Sequence, residues 1–283
     1  MTVYKKVDYQ PKGRFTFMKK KKWIFRILAA ICVAAIVVSG VRLYQIYSNY
    51  NKSNNLYDDL SKKVTKTKAK SDQKSSEWYE LCTVDFSQLQ ATNKEAIAWL
   101  YMENNETISY PIMYSGDNDK YLRTALDGSS AIAGSIFLEG DNTADFTDLH
   151  TLIYGHNMRN RSMFGSLREY KNDPDYYKDH QYFQVITPTK AYRYQIFAYS
   201  VVDPNADVYT VYKGDLGDEK YGTFLESLKK GSLRDTGVDV TANDRVVTLS
   251  TCTGQDDRFV VHGKLIATHD MWYKIKLGKN ICK

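Results

Sequence analysis

Residues 23–41 form a 19-residue run in which Arg26, near the start, is the only charged side chain. A run of this length crosses the hydrocarbon of a bilayer as a helix. Backbone N–H and C=O groups in lipid must bond within the segment, so a single run has no other way to span. Arg26 can snorkel back to the interface along its aliphatic stem. Lys19, Lys20, Lys21 and Lys22 stand directly before the run. The positive-inside rule therefore places residues 1–22 in the cytoplasm and the chain after the run outside. The organisation expected is a cytoplasmic basic tail over 1–22, a transmembrane signal anchor over 23–43, an extracellular stalk over 44–76 and a folded domain over 77–283. A cleaved secretory signal is an alternative, with Val38-Ser39-Gly40 as a weak small-residue site. A lipid-modified Cys32 is another, but Ile31 occupies a position where a small residue is expected. Cys32 reads most simply as a membrane-buried thiol.

The net charge of +6 conceals an asymmetry. Residues 1–74 hold 17 of the 39 Lys+Arg and 4 of the 33 Asp+Glu, which leaves 22 against 29 in the other 209 residues. A nucleic-acid binder carries its basic excess on the folded domain. Here the excess lies on the tail and linker, which excludes a DNA or RNA role and suits the proximity of anionic lipid. Residues 48–76 are rich in Asn, Lys, Ser and Asp and show no apolar period, as a tether would. Residues 58–70 within them have helix-like composition.

From about Ser76 the composition becomes globular, and the 23 tyrosines suit a β-rich protein. Strands are expected over 108–113, 132–138, 151–154, 182–187, 192–202, 246–251 and 259–267. Residues 78–81, 86–89 and 96–100 read as one or two short amphipathic helices. Further helices are expected over 163–169 and 221–230, the latter with Phe224, Leu225 and Leu228 on one face and Gly231 as a stop. Many strands and few helices imply a mainly β fold, a closed or nearly closed barrel with helical insertions.

The chemistry centres on Val246-Val247-Thr248-Leu249-Ser250-Thr251-Cys252. A β-branched run ends in a thiol, a short polar turn follows, and Arg258 opens the next apolar run. A permanent cation near a thiol favours the thiolate, the reactive form. Taken alone, such a cysteine is more often a buried small hydrophobe. His156 follows an apolar strand and Gly155, which allows a sharp turn and leaves the imidazole at a strand end. Alone it reads as a loop histidine. Glu139, Asp141, Asp145 and Asp148 lack the spacing of a calcium loop and read as a solvated acidic loop. No cysteine or histidine spacing matches a zinc site. Cys82 and Cys282 could pair outside the cell, which sequence alone leaves open.

Three segments together resemble the sortases, membrane-anchored cysteine transpeptidases of Gram-positive bacteria. Thr248-Leu249-Ser250-Thr251-Cys252 resembles that family's nucleophile strand, and Arg258 opens the following strand as the family's arginine does. Tyr154-Gly155-His156-Asn157-Met158, with Ser162-Met163-Phe164 close behind, resembles class B sortases in particular. Tyr110-Pro111-Ile112, the stretch 116–122, Gly134-Ser135-Ile136-Phe137-Leu138 and the helix at 221–230 extend the likeness to roughly residues 80–283. The turn from Cys252 to Arg258 is shorter than in much of the class. There is no Asp-Pro-aromatic lid segment and no C-terminal membrane run, which sets the chain apart from class C pilin polymerases.

The resemblance implies that the domain over 77–283 is a sortase catalytic domain facing the cell wall. It implies Cys252 as nucleophile, His156 as proton carrier and Arg258 as donor to the oxyanion. By the same analogy Ser250, Asn118 and Leu122 line the substrate groove, although Leu122 could equally be core and Asn118 a helix cap. No metal or organic cofactor is implied. The implied partners are sorting-motif-bearing surface or pilin proteins, with a cell-wall peptide amine or a pilin lysine as acceptor. The alternative enzyme reading is a cell-wall cysteine peptidase that uses water. A papain-like hydrolase would place its cysteine at a helix N-terminus, whereas Cys252 ends a strand. A non-enzymatic binding module with Cys252 in its core is the third reading.

Overall fold

Two compact units divide the chain between Asn51 and Lys52. The computed structural model describes residues 14–73, 75–253 and 257–271, with the backbone alone for residues 14–21, 70, 71 and 252. The described part of the first unit is one helix, Arg14–Val64, which from Lys52 onward also supplies the first element of the second unit. Its apolar stretch is exposed. It is long and apolar enough to cross a membrane, which makes it a candidate anchor.

Residues 52–64 lie within the span expected as stalk, yet Ser53, Tyr57, Leu60 and Val64 are buried. The spacing of Tyr57, Leu60 and Val64 places them on one helix face. A narrow stripe of this kind escapes notice in so polar a segment, because each helical turn contributes a single apolar residue. Strands β1 (Thr65–Thr67) and β2 (Cys82–Val84) then pair as a two-stranded antiparallel ribbon. Cys82 is fully buried, and burial pushes its thiol up to about 12. Its possible partner Cys282 lies outside the described residues.

The remaining strands are β3 (Ala96–Met102), β4 (Ser109–Met113), β5 (Ile136–Leu138), β6 (His150–Tyr154), β7 (Tyr182–Ile186), β8 (Lys190–Val202), β9 (Val246–Thr253) and β10 (Asp257–Asp270). They close into one barrel in the order β10-β8-β7-β3-β4-β5-β6-β9. Closure leaves no unpaired edge for another chain to join. The β4–β5 and β6–β9 pairs are parallel and the others antiparallel. Trp99, Phe183, Tyr194, Phe197 and Phe259 are among the large side chains that are fully buried. At the β8–β10 seam the register shifts between His262 and Gly263. A Cβ on Gly263 would collide with Cε1 of the Phe183 ring and stand 2.6 Å from its Cζ, so only glycine fits there.

The expected mainly β barrel is the fold observed, but one element changes type. Residues 96–100, expected as helix, belong to strand β3. Six of its seven residues are buried, so the strand carries a continuous apolar run without the alternation that marks a half-exposed strand. The expected helix at 78–81 is a single 3₁₀ turn, Trp78–Glu80. That at 86–89 is a helix, Phe86–Thr92, capped by the Asp85 carboxylate on the Gln88 N–H. The helix Glu219–Lys230 has the expected apolar face. Asp218 caps it, and Tyr221, Phe224, Leu225 and Leu228 pack against Phe197, Val246 and Val260 of the barrel.

Candidate active site

Strands β6 and β9 run parallel with a constant offset of 96 residues, from His150 opposite Val246 to Tyr154 opposite Ser250. His156 and Cys252 are separated by the same 96 residues. Beyond the last ladder pair the Gly155 N–H donates to the Ser250 carbonyl at 3.1 Å, so the two strands stay in step as β6 ends. Carried two residues past the last pair, the same offset would set position 156 against position 252. On the other side of β9, Arg258 of β10 is the direct cross-strand neighbour of Cys252. Directly opposed residues of an antiparallel pair share a sheet face. For Cys252 only the backbone is described, and residues 254–256 of the short turn lie outside the described residues.

A cleft of about 370 Å³ opens at these strand ends. Asn118, Leu122, His156, Ser250 and Arg258 all line it, so five residues singled out from the sequence share one cavity. Thr251, the residue before Cys252, lines it too. Its buried hydroxyl oxygen has no hydrogen-bond partner among the described residues. The Arg258 guanidinium donates to the Asp257 carbonyl at 3.3 Å.

Gly155 makes the turn that presents His156. A Cβ there would collide with Ile136 Cδ1 and come within 2.7 Å of the Phe164 ring. The imidazole is half-buried, and its Nε2 lies 2.8 Å from the Leu122 carbonyl oxygen. A carbonyl only accepts, so Nε2 carries the proton and Nδ1 presents its lone pair. Burial holds the His156 pKa below the usual histidine value; the Leu122 carbonyl partly restores it and Arg123 lowers it further. The resting ring is therefore a neutral base.

Glu139, expected in a solvated acidic loop, is instead buried, as is Asp148. The Glu139 carboxylate accepts from Tyr154 Oη at 2.6 Å and from the Asn118 amide, and thus ties two walls of the cleft together. Asn118 Oδ1 accepts the Gly140 N–H at 2.8 Å. The expected groove residue Asn118 is therefore held on both sides of its amide. Tyr154 also stacks on Tyr209, whose hydroxyl meets Ser250 Oγ at 3.0 Å. Tyr154, Tyr209 and Glu139 were not singled out as site residues from the sequence. The only sequence signal was the placement of Tyr154 directly before Gly155-His156.

A buried polar chain crosses β6, β9 and β10. His150 Nδ1 is 2.8 Å from the Thr210 carbonyl, His150 Nε2 is 2.7 Å from Thr248 Oγ1, and Thr248 Oγ1 is 2.8 Å from His262 Nδ1. Because Thr210 O must accept, the proton order is set throughout. His150 Nδ1–H donates to Thr210, the Thr248 hydroxyl donates to His150, and His262 Nδ1–H donates to Thr248. His262 Nε2 is left as a lone pair with no partner among the described residues. Burial lowers His150 to about 4; burial, with His150 next to it, lowers His262 to about 3.

Among the described residues no group of three or more His, Cys, Asp or Glu is arranged to hold a metal ion. The family described as Sortase domain matches residues 100–266. Sortase B of Listeria monocytogenes is 33% identical over 254 residues, 88% of this chain and 99% of that protein. A solved sortase B of Bacillus anthracis, in complex with AAEK1, is similar at TM-score 0.65 and 29% identity over 78% of this chain and 99% of that one. A Staphylococcus aureus sortase B–substrate complex is similar at TM-score 0.59 and 26% identity over 64% of this chain and 84% of that one.

Proposed function

This chain belongs to the sortase family as a class B-like cysteine transpeptidase, and from that premise we propose that it cleaves the C-terminal sorting motif of secreted surface or pilin proteins and joins the acyl fragment to an amine of the cell wall or of another pilin. The domain works outside the cell membrane, held there by the N-terminal helix with residues 1–22 in the cytoplasm.

In this reading His156 Nδ1 takes the proton of the Cys252 thiol, and the sulfur attacks the carbonyl carbon of the scissile bond. The carbonyl oxygen gains the negative charge, which Arg258 stabilises, because its guanidinium donates and does not deprotonate. The tetrahedral adduct collapses as His156 returns the proton to the departing amine. A thioacyl enzyme remains. The acceptor amine then attacks the thioester and gives its proton to His156, and the sulfur leaves to be reprotonated. One peptide bond is broken and one is formed. Asn118, Leu122 and Ser250 line the groove that receives the motif.

The observation that carries the reading is the shared register. The 96-residue β6–β9 offset, carried two residues past its last pair, points His156 toward Cys252, the β9–β10 ladder pairs Arg258 with Cys252, and His156 and Arg258 line one cleft, which supports the reading. The test is ligation by the full-length chain in detergent. A panel of Leu-Pro-x-Thr-Gly-like and Asn-Pro-x-Thr-x-like peptides is offered with a glycine-based amine, and products are read by mass. A ligated product that disappears in Cys252→Ala is expected. Undiminished ligation by Cys252→Ala would sink the assignment, and a free acid in the presence of abundant amine would favour a peptidase.

A further inference from the structure

His156 is held from two sides. Its Nε2 donates to the Leu122 carbonyl at 2.8 Å, and its own carbonyl accepts the N–H groups of Met158 at 3.1 Å and Phe164 at 3.0 Å. Both holding segments trace back to one side chain that lies outside the sortase-matched region, Tyr57 on the N-terminal helix beyond Asn51.

The first route runs through the Tyr57 hydroxyl. It lies 2.8 Å from the Gly134 carbonyl oxygen and 2.8 Å from Ser135 Oγ, and accepts the Leu126 N–H at 3.3 Å. These partners bracket the loop that follows Leu122. Gly134, at φ +55°, approaches the Leu122 backbone so closely that a Cβ would stand 2.7 Å from the carbonyl oxygen that accepts from His156. Ser135 N–H donates to the Tyr121 carbonyl at 3.0 Å. The second route runs through the Tyr57 ring. It stands edge-on to Tyr110, with centroids 5.5 Å apart. The Tyr110 hydroxyl accepts the Met163 N–H at 3.1 Å. Met163 adopts a left-handed φ of 52° and bridges to Asn157, the neighbour of His156.

Tyr57 is almost fully buried, and burial raises its phenol to about 12, so it stays a neutral donor. A residue needed only to fill space at this seam would carry no hydroxyl. A buried hydroxyl with three partners fixes one loop geometry and penalises the others.

We propose that Tyr57 is a positioning residue for transpeptidation: it fastens both segments that orient His156, which makes the helix beyond Asn51 a working part of the catalytic unit and not a passive tether. This rests on His156 as the proton carrier.

The experiment uses the full-length chain in detergent with Tyr57→Phe, which keeps the ring against Tyr110 and removes the hydroxyl. On whichever panel peptide the wild type ligates, kcat is expected to fall about tenfold, since small misplacements of a catalytic group cost this much or more. KM is expected to stay within about twofold. Independently of any peptide, imidazole ¹⁵N shifts of His156, assigned by their loss in His156→Ala, should show the Nε2–H tautomer losing dominance. The His156 midpoint should move lower, because the Leu122 carbonyl is the contact that favours the protonated ring. A variant with a lower melting temperature but wild-type kcat and wild-type His156 shifts overturns the inference. If Tyr57→Phe does not fold, Ser135→Ala removes one of the hydroxyl's partners and must shift the same readouts; wild-type values there overturn it equally. Inactive Cys252→Ala and His156→Ala beside an unaffected Tyr57→Phe sink only this inference. Full activity in Cys252→Ala sinks the underlying reading and this one with it.

Discussion

Lowering the pH from 7 to 5 is expected to destabilise the catalytic unit sharply through His150 and His262. Both are fully buried, with folded-state pKa values of about 4 and about 3 against 6.5 for an exposed histidine. Their proton order explains the resistance. Protonating His262 would place an N–H at Nε2, where no described acceptor stands, and protonating His150 would turn Nε2 against the hydroxyl hydrogen of Thr248. A histidine with a depressed folded pKa binds fewer protons folded than unfolded. Its contribution is therefore intact above 6.5 and is lost as pH falls toward about 4. At pH 5 the unfolded rings lie about 1.5 units below their pKa while the folded rings stay neutral, so each costs about 2 kcal/mol and the pair about 4 kcal/mol. At roughly 2–4 °C per kcal/mol for a domain of this size, the melting temperature should drop by about 8–16 °C. The assay is a thermal melt of the full-length chain in detergent, followed by near-UV circular dichroism at pH 7, 6 and 5. His156, also depressed, acts in the same direction, so His156→Ala supplies the baseline. Carboxylates held below their usual range, such as Asp85, Glu95 and Asp127, protonate below this window. A flat melting temperature between pH 7 and 5 would refute the neutral buried pair.

Two further outcomes follow from single contacts. Gly155→Ala drives a Cβ into Ile136 and the Phe164 ring; a loss of about 1–3 kcal/mol in chemical denaturation is expected, with a fall in ligation rate larger than the unfolded fraction explains. Glu139→Gln leaves one acceptor where two donors, Tyr154 Oη and the Asn118 amide, converge. Steady-state kinetics should show KM rising severalfold with kcat nearly held, because the change loosens cleft walls and leaves the proton carrier alone.

What was legible in the sequence was chemistry tied to strand ends. Cys252 closing a β-branched run, Arg258 opening the next one and His156 after Gly155 each carry a local signature that the barrel preserves. Asn118, Leu122 and Ser250 came from resemblance, and the cleft gathers all three, yet it also shows what resemblance left out. Glu139 sits in a stretch with Asp141, Asp145 and Asp148, and four acids close together read as solvated. Only the fold reveals that Glu139 turns inward to meet Tyr154, whereas Asp145 stays at the surface with Thr147. Strand β3 hides its type for a related reason. With six of seven residues buried it has no polar face, and an apolar run of that length carries no period to separate strand from helix.

The span expected as stalk shows where local reading ends. Residues 52–64 are polar by composition, and the burial of Tyr57, Leu60 and Val64 depends on partners far along the chain: Gly134, Ser135 and Tyr110. A tether needs only length, so it tolerates any soluble sequence. A helix that buries a tyrosine hydroxyl against three backbone and side-chain partners does not, because an unmade buried hydrogen bond costs more than an exposed one gains. The compact unit therefore begins by burial at about Lys52, ahead of the point where composition turns globular near Ser76. A chain cut at residue 76 would keep Cys252, His156 and Arg258 and lose the residue that fastens the loops around His156.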